Sequence, residues 1–590
     1  MALEMPHFPP LAASAAGVEL AARKRQGLDW SAPIHMAVLV LTALLVLSPI
    51  LVIAYQSLQS GPLYEVDRVL TLSSYTKLLG QPEFHQALWN SLGLAIVSTV
   101  VALAIGVASA IAIVRLDLPL RHWIEGAMLG PIYISQLVLA LGWYVLYGPS
   151  GYISLVCRNW FGGVPWELTT ISGMGVLGGI AMAPTVMLFC ISSLELSNAS
   201  LEDAARSAGA TPLRVLRSVT LPLLRPAIVY STLLTFVGGL EMLSIPLVFG
   251  WPAGLEFFTT YLLREGMGQT QPDYGLLGAA ALLLLLTVAL LVLVQQKLLS
   301  QRQRFVTVRG KSQRSKPLEI GSWRWMVFAL LAVYLAFTVV LPMLALVVRA
   351  SVVYLTPLVS PLDYLTLDHF KTLFEHEVYA RSIWNSLVVS TIGAAVATAL
   401  TALIAAVIQR SDFKFGKHLE MLALLPRAVP GMVAGIGFLW VVLWVPGLSL
   451  LHGTLALLII AFTMRNLPSA YVALAPSLLQ IGREIDQSAR VCGASWWRTC
   501  QSIVLPIAKP ALIACYLLKF ISFFKEYASA VFLYSPGTEI IGTTLLNMWA
   551  KGDVGPVAAL SVVQLILTLL LVALIVRFGK APVAKGNSNG

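Results

Sequence analysis

Twelve apolar runs, each long enough to cross a lipid bilayer, leave this chain little choice of fold. They lie near residues 34–56, 88–114, 123–147, 171–193, 226–250 and 276–299, and again near 325–350, 384–408, 419–445, 452–475, 510–534 and 556–577. A helix of about 20 apolar residues spans the ~30 Å hydrocarbon core. A lipid-exposed backbone must satisfy its own hydrogen bonds, so each run reads as a helix. The composition agrees, with 58% of the 590 residues hydrophobic and 11% charged, against about 25% charged in soluble domains. The expected fold class is an all-α polytopic membrane protein with about 12 transmembrane helices.

The net charge of +11 raises the question of nucleic acid, but charge placement answers it. Arg115, Arg121 and His122 follow run two; Arg206, Arg214, Arg217 and Arg225 follow run four. Run six is followed by Arg302, Arg304, Arg309, Lys311, Arg314 and Lys316. Arg410, Lys414 and Lys417 follow run eight; Arg483, Arg490, Arg498 and Lys509 follow run ten. Bases concentrated in alternate loops mark the cytoplasmic side. Both termini are therefore expected in the cytoplasm, and no nucleic-acid partner is expected. The first run starts after Arg23-Lys24-Arg25 and is too long for a cleavable signal peptide. Cys157, Cys190, Cys492, Cys500 and Cys515 show no CxxC pair and no metal spacing, and read as packing residues.

The second six runs repeat the first six. Asn90-Ser91 pairs with Asn385-Ser386 at an offset of 295 (385 − 90), as do Arg115 with Arg410, Glu125 with Glu420, Pro131 with Pro426 and Gly142 with Gly437. Pro184 pairs with Pro468 at 284 (468 − 184), as do Gly209 with Gly493, Pro222 with Pro506 and Pro226 with Pro510. The first half thus carries about eleven extra residues (295 − 284), in an external loop around 148–173. The division expected is a cytoplasmic tail 1–30, a first domain 31–300, a basic linker 301–323, a second domain 324–580 and a C-terminal tail 581–590. The basic linker returns the chain to its starting side, so the halves run in parallel.

The polar loops after runs four and ten are also alike. The first reads Glu202-Asp203-Ala204-Ala205-Arg206-Ser207-Ala208-Gly209 and reaches Leu221-Pro222; the second reads Asp486-Gln487-Ser488-Ala489-Arg490-Val491-Cys492-Gly493 and reaches Leu505-Pro506. Each predicts a short helix, a glycine break and a second short helix. Proline predicts that this second helix stops before the next span begins. A repeated polar knob suggests docking to a soluble partner.

These loops resemble the EAA loop of permease subunits of type I, binding-protein-dependent ABC importers. The family pattern is Glu-Ala-Ala, three residues, glycine, about eleven residues, then Leu-Pro. Here Asp203-Ala204-Ala205, Gly209 and Leu221-Pro222 match in one copy, and Gln487-Ser488-Ala489, Gly493 and Leu505-Pro506 in the other. Asp and Gln stand where the family has Glu, and each copy has an acid one position earlier, Glu202 and Asp486. The resemblance covers nearly the whole chain and implies two permease domains fused in one polypeptide. It also implies two copies of a cytoplasmic ABC ATPase that bind ATP and Mg, and a periplasmic or lipid-anchored substrate-binding protein. The implied location is the bacterial cytoplasmic (inner) membrane. The chain has no Gly-x-x-x-x-Gly-Lys-Ser/Thr loop, so no cofactor is expected in it and hydrolysis falls to a separate subunit. Glu241–Gly250, Gln271–Gly275 and Val308–Lys311 resemble fused iron(III) permeases; relatives of the same layout import thiamine, polyamines, phosphonates or sugar phosphates.

Ionisable residues inside spans are costly and are functional candidates by default. Glu241 in run five and Glu526 in run eleven, with Tyr527 beside it, are the candidate substrate-path residues. Two carboxylates facing one cavity would suit a hard cation. The blander reading, preferred here, pairs them with Lys525 or a neighbouring helix, or puts them near the outer interface. Arg465 is read as contacting backbone freed by a break at Pro468. An ion-coupled secondary transporter would show more buried charge and no repeated knob. A membrane enzyme would need a catalytic cluster, and none is legible.

Overall fold

The computed structural model describes residues 31–579, except 64, 66, 67, 197–199, 270, 271, 301–317 and 319. Both tails and most of the basic linker, including Val308–Lys311, lie outside the described residues, as does Gln271. In the first half the principal helices are α1 (Ser31–Gln56), α2 (Pro82–Arg115), α3 (Arg121–Leu129), α4 (Gln136–Tyr147), α5 (Tyr152–Phe161), α6 (Ile171–Leu196), α7 (Ser200–Ser207), α8 (Pro212–Leu240) and α9 (Tyr274–Ser300). In the second they are α10 (Trp323–Ala350), α11 (Glu377–Arg410), α12 (Gly416–Leu424), α13 (Gly431–Trp444), α14 (Leu455–Leu479), α15 (Arg483–Val491), α16 (Trp496–Phe524) and α17 (Val554–Gly579).

Among the described residues ten helices are long and apolar enough to cross a membrane, and counting each of two bent pairs as one span raises the number to twelve. Runs three and nine are those pairs, bent by 99° and 111°. The second bend falls at Val429-Pro430, where proline pushes the preceding residue out of the helical region. The segment of the first half that holds its extra residues, around 148–173, contains α5, the last part of the first bent pair.

The first helix of each half bridges to the other half. α1 packs on α12 and α13 of the second half as well as on α9 of its own, and α10 packs on α4 of the first half as well as on α17 of its own. Gly142 and Gly437 make both crossings possible. A methyl group on Gly142 would lie 2.9 Å from the Pro342 carbonyl oxygen of α10, and one on Gly437 would lie 2.9 Å from that of Pro49 in α1. Small residues let helix backbones approach this closely.

Asn90-Ser91 and Asn385-Ser386 also have matching jobs. Asn90 donates to the Glu256 carbonyl (2.8 Å), and the Ser91 hydroxyl accepts from Phe258 N–H (2.8 Å). Asn385 donates to the Glu539 carbonyl (2.9 Å), and Ser386 accepts from Ile541 N–H (2.8 Å). In each half the start of one long span thus ties down the loop that follows a broken one.

Candidate functional site

The two polar modules fold alike. α7 leads through Gly209 into α8, and α15 through Gly493 into α16. Both glycines stand at φ +82°, where a Cβ is strained. Gly209 N–H donates to the Arg206 carbonyl (2.9 Å) and Ala210 N–H to that of Ala205 (3.0 Å). Gly493 N–H donates to Arg490 (2.9 Å) and Ala494 N–H to Ala489 (3.0 Å). This paired closure is the Schellman pattern of a helix end.

The second helix does not stop at Leu-Pro, contrary to the sequence expectation. α8 runs through Leu221-Pro222, and α16 through Leu505-Pro506. Proline lacks the N–H and crowds the carbonyl four residues back. A wide π turn stands just before each pair, Leu216–Thr220 and Cys500–Val504, and absorbs the mismatch.

The acids divide by depth. The Glu202 side chain is 1% exposed and pairs with Arg115 at the end of α2 (3.1 Å). It also accepts from the Thr220 hydroxyl (3.0 Å) and lies 3.8 Å from Arg206. Asp486 pairs in the same way with Arg410, at the end of α11 (3.0 Å). Arg410 also donates to the carbonyls of Ile481 (2.7 Å) and Gly482 (3.2 Å), and the Trp496 indole donates to the Arg410 carbonyl (3.0 Å). Asp203 is exposed and, among the described residues, bonds along its own helix to Arg206 (3.2 Å). Gln487 and Ala204 are exposed, Ala205 is half-buried and Ala489 buried. The earlier acids therefore fasten each module to its membrane domain, and the residues at the family's acid position face outward. Arg115 and Arg410 were legible as loop bases and as landmarks of the repeat, not as partners of the module acids; their shared place at the end of a long span was the signal.

A second cluster lies where helix breaks from the two halves meet. α8 ends at Leu240 and α16 at Phe524, ten residues short of the run ends expected at 250 and 534. Glu241 and Glu526 stand just beyond these ends. Glu241 pairs with Arg465 of α14 across the halves (2.7 Å). Arg465 also donates to the Val429 carbonyl (2.7 Å), freed at the bend of run nine. The expected break at Pro468 is absent, because α14 passes through it unbroken and the free carbonyl belongs to another helix. Lys525 does not pair with Glu526; it donates to the Ile132 carbonyl at the bend of run three. Glu526 accepts from Ser529 N–H (3.2 Å) and hydroxyl (3.3 Å). Tyr527 and Ser244 share a 2.6 Å hydrogen bond across the halves. Two further carbonyls at the breaks find donors, Met242 from Thr259 (2.8 Å) and Phe524 from Gln564 (3.1 Å). Broken helices persist at membrane depth only when such partners exist.

The cluster therefore joins the halves through three polar contacts, Glu241–Arg465, Lys525–Ile132 and Tyr527–Ser244. Contacts of this kind can open and re-form as two bodies rock, with little loss of packing. Ser244, Ile132 and Val429 carried no sequence signal, since each acts through backbone or a small hydroxyl.

The model of the binding-protein-dependent transport system inner membrane component family matches this chain twice, over residues 102–305 and 398–581. The ferric transport system permease protein FbpB of Actinobacillus pleuropneumoniae is 27% identical over 504 residues, 84% of this chain and 71% of that protein. The probable ABC transporter permease protein y4fN of Sinorhizobium fredii is 25% identical over 573 residues, 92% of this chain and 96% of that protein. The spermidine/putrescine transport system permease protein PotB of Escherichia coli is 25% identical over 183 residues, 30% of this chain and 66% of that protein.

Proposed function

Because the chain belongs to the family of binding-protein-dependent transport system inner membrane components, as a fused permease of a type I ABC importer, we propose that it carries iron(III) inward. A binding protein outside would deliver the cargo, and a cytoplasmic ATPase dimer would drive the cycle. The observation that carries the reading is the pair of modules, each closed by a glycine at φ +82° and each fastened by an acid, buried Glu202 or half-buried Asp486, to an arginine of a preceding span. Two equivalent knobs on one chain suit two copies of one soluble partner.

In this reading Asp203, Ala204 and Gln487 meet the ATPase, and Glu202 and Asp486 transmit its motion to α2 and α11. ATP and Mg are held by the partner, and both termini and both modules lie on the cytoplasmic side of the inner membrane. Glu241, Glu526 and Tyr527 border the path at the contact between the halves. Closure of the ATPase dimer draws the modules together, and the polar contacts between the broken helices part to admit cargo.

The iron assignment is supported by the ferric relative's coverage of 84% of this chain. The polyamine relative, matching 30%, keeps polyamines as the second reading, and thiamine, phosphonate and sugar phosphate share the layout. Purification of the cognate binding protein and calorimetric titration with iron(III) tests the substrate. Saturable binding of iron(III) is expected. Indifference to iron(III) together with saturable binding of an organic cargo would end the iron assignment and leave the permease reading standing.

A further inference from the structure

The two halves bring unequal charge to the place where they meet. The second half contributes four cations, Arg427, Arg465, Lys519 and Lys525. Their counterparts in the first half are Ile132 (427 − 295), Ala181 (465 − 284), Thr235 (519 − 284) and Glu241 (525 − 284). The last match holds in the fold as well, because α8 ends one residue before Glu241 and α16 one residue before Lys525. With Glu241 and Glu526 as the acids, four cations stand against two carboxylates.

Among the described residues, Arg465 alone of the four is paired with an acid. Lys525 donates to the Ile132 carbonyl, while Glu526 accepts from Ser529. Arg427 lies 5.1 Å from the centre of the Tyr230 ring of α8, across the halves. Lys519 is 4% exposed and donates to the hydroxyl of Ser469 (2.5 Å), an exposed residue of α14. A carbonyl, a ring and a hydroxyl orient a cation but do not cancel its charge. Charge inside a span is costly, and where it persists it marks a path for polar cargo. Tyr230 stands eleven residues before Glu241 (241 − 230), about 16 Å along α8. Arg427 and the group around Arg465 therefore act at two levels of one path. A cationic cargo, whether a polyamine or bare iron(III), would meet like charge at both levels, and an anion would be attracted at both.

We propose that cargo crosses between the halves as a multivalent oxygen anion, and that iron(III) passes here inside an anionic complex with chelating carboxylate or phosphate groups. The proposal rests on the permease reading above and names the charge class of its cargo. Lys519 and Lys525 exchange their neutral partners for the anion as the halves part, and Arg427 receives it at the next level. The first half supplies the neutral wall, so the second half sets selectivity by charge.

The test is scanning calorimetry of the purified full chain at constant ionic strength, titrated with citrate, with iron(III) citrate and with spermidine. A ligand that binds the folded state raises the unfolding temperature saturably. Both anions are expected to do so, and spermidine is not. Saturation at the lower concentration by iron(III) citrate assigns the anion to an iron complex. Saturation at the lower concentration by citrate alone assigns it to a free organic anion, and the charge class holds in both cases. Lys519→Met and Arg427→Ile are each expected to raise the half-saturating concentration about ten-fold, the worth of one hydrogen bond to a charged group. Arg427 is half-buried against a ring, so its variant keeps the test decisive if Lys519→Met fails to fold. Saturable stabilisation by spermidine, its absence with both anions, or an unchanged half-saturating concentration in the variants would overturn the proposal. None of these results touches ATP-driven uptake from the binding protein, so failure here is distinct from failure of the permease reading.

Discussion

The buried pair between Arg115 and Glu202 yields the most quantitative prediction. Arg115→Met keeps the length and apolar stem of the side chain but removes its charge. The Glu202 carboxylate, 1% exposed, would then be left with the Thr220 hydroxyl at 3.0 Å and Arg206 at 3.8 Å. Removing one partner of a buried ion pair costs about 3–5 kcal/mol when the remaining charge is uncompensated. The surviving hydrogen bond to a charged acceptor is worth roughly 1.5–3 kcal/mol, and Arg206 is close enough to tighten. The centres of these ranges leave a net loss of about 2 kcal/mol. That loss acts on the docking of α7 against the end of α2, and corresponds to a roughly 30-fold increase in its detached population, at about 1.4 kcal/mol per decade. Hydrogen–deuterium exchange of the Ser200–Thr220 segment reads this directly, and retention of the ATPase on the purified chain reads its consequence. Faster exchange confined to the first module, with weaker ATPase retention, is expected. Adding Glu202→Met to Arg115→Met should recover most of the loss, because replacing both partners of a buried pair by apolar side chains is close to neutral. Unchanged exchange in Arg115→Met, or a double variant no better than the single one, would refute the reasoning.

The remaining predictions are briefer. Gly209→Val and Gly493→Val put a β-branched residue at φ +82°, a strain of about 1–3 kcal/mol; each should weaken ATPase co-purification, and the asparagine variants should do so much less. Glu241→Gln and Arg465→Met should each lower the thermal stability of the purified chain, and a double-mutant cycle should show coupling between them; strict additivity would mean that the 2.7 Å pair does not hold the halves together. Burial raises the Glu539 carboxyl, but backbone N–H groups and Arg381 outweigh it and hold the group below its ordinary value of 4.5. A depressed carboxyl stabilises the fold above its ordinary range and ceases to do so as pH falls through the folded value. An acid-induced loosening below about pH 4.5 should therefore shrink in Glu539→Gln, as followed by exchange of the Gly537–Ile541 loop.

The number of spans was legible because lipid imposes one apolar length on every crossing. The duplication was legible because landmarks such as Asn90-Ser91, Arg115 and Gly142 have partners at a fixed spacing, and each has a matching role in both halves. The breaks after Leu240 and Phe524 were not legible. Their flanks, such as Ile245–Gly250 and Ala530–Leu533, stay apolar, so hydropathy continues across a backbone that has left the helix. The bridging of α1 and α10 to the opposite halves was hidden because helix partnership leaves no local mark beyond a glycine at each crossing. The outward position at each module was aligned with the family pattern, but the fastening acid was the neighbour before it. Only burial against Arg115 or Arg410 distinguishes the two.

The central claim is that the two modules convert ATP hydrolysis by a separate subunit into inward transport. It is tested most directly by initial uptake rates of radio-iron into proteoliposomes that contain this chain and its ATPase, with the loaded binding protein in the compartment facing the outer loops. Uptake that requires both ATP and the binding protein, and that collapses in the Gly209→Val/Gly493→Val double variant, is predicted. Uptake that persists without the ATPase and follows an imposed ion gradient would contradict the account.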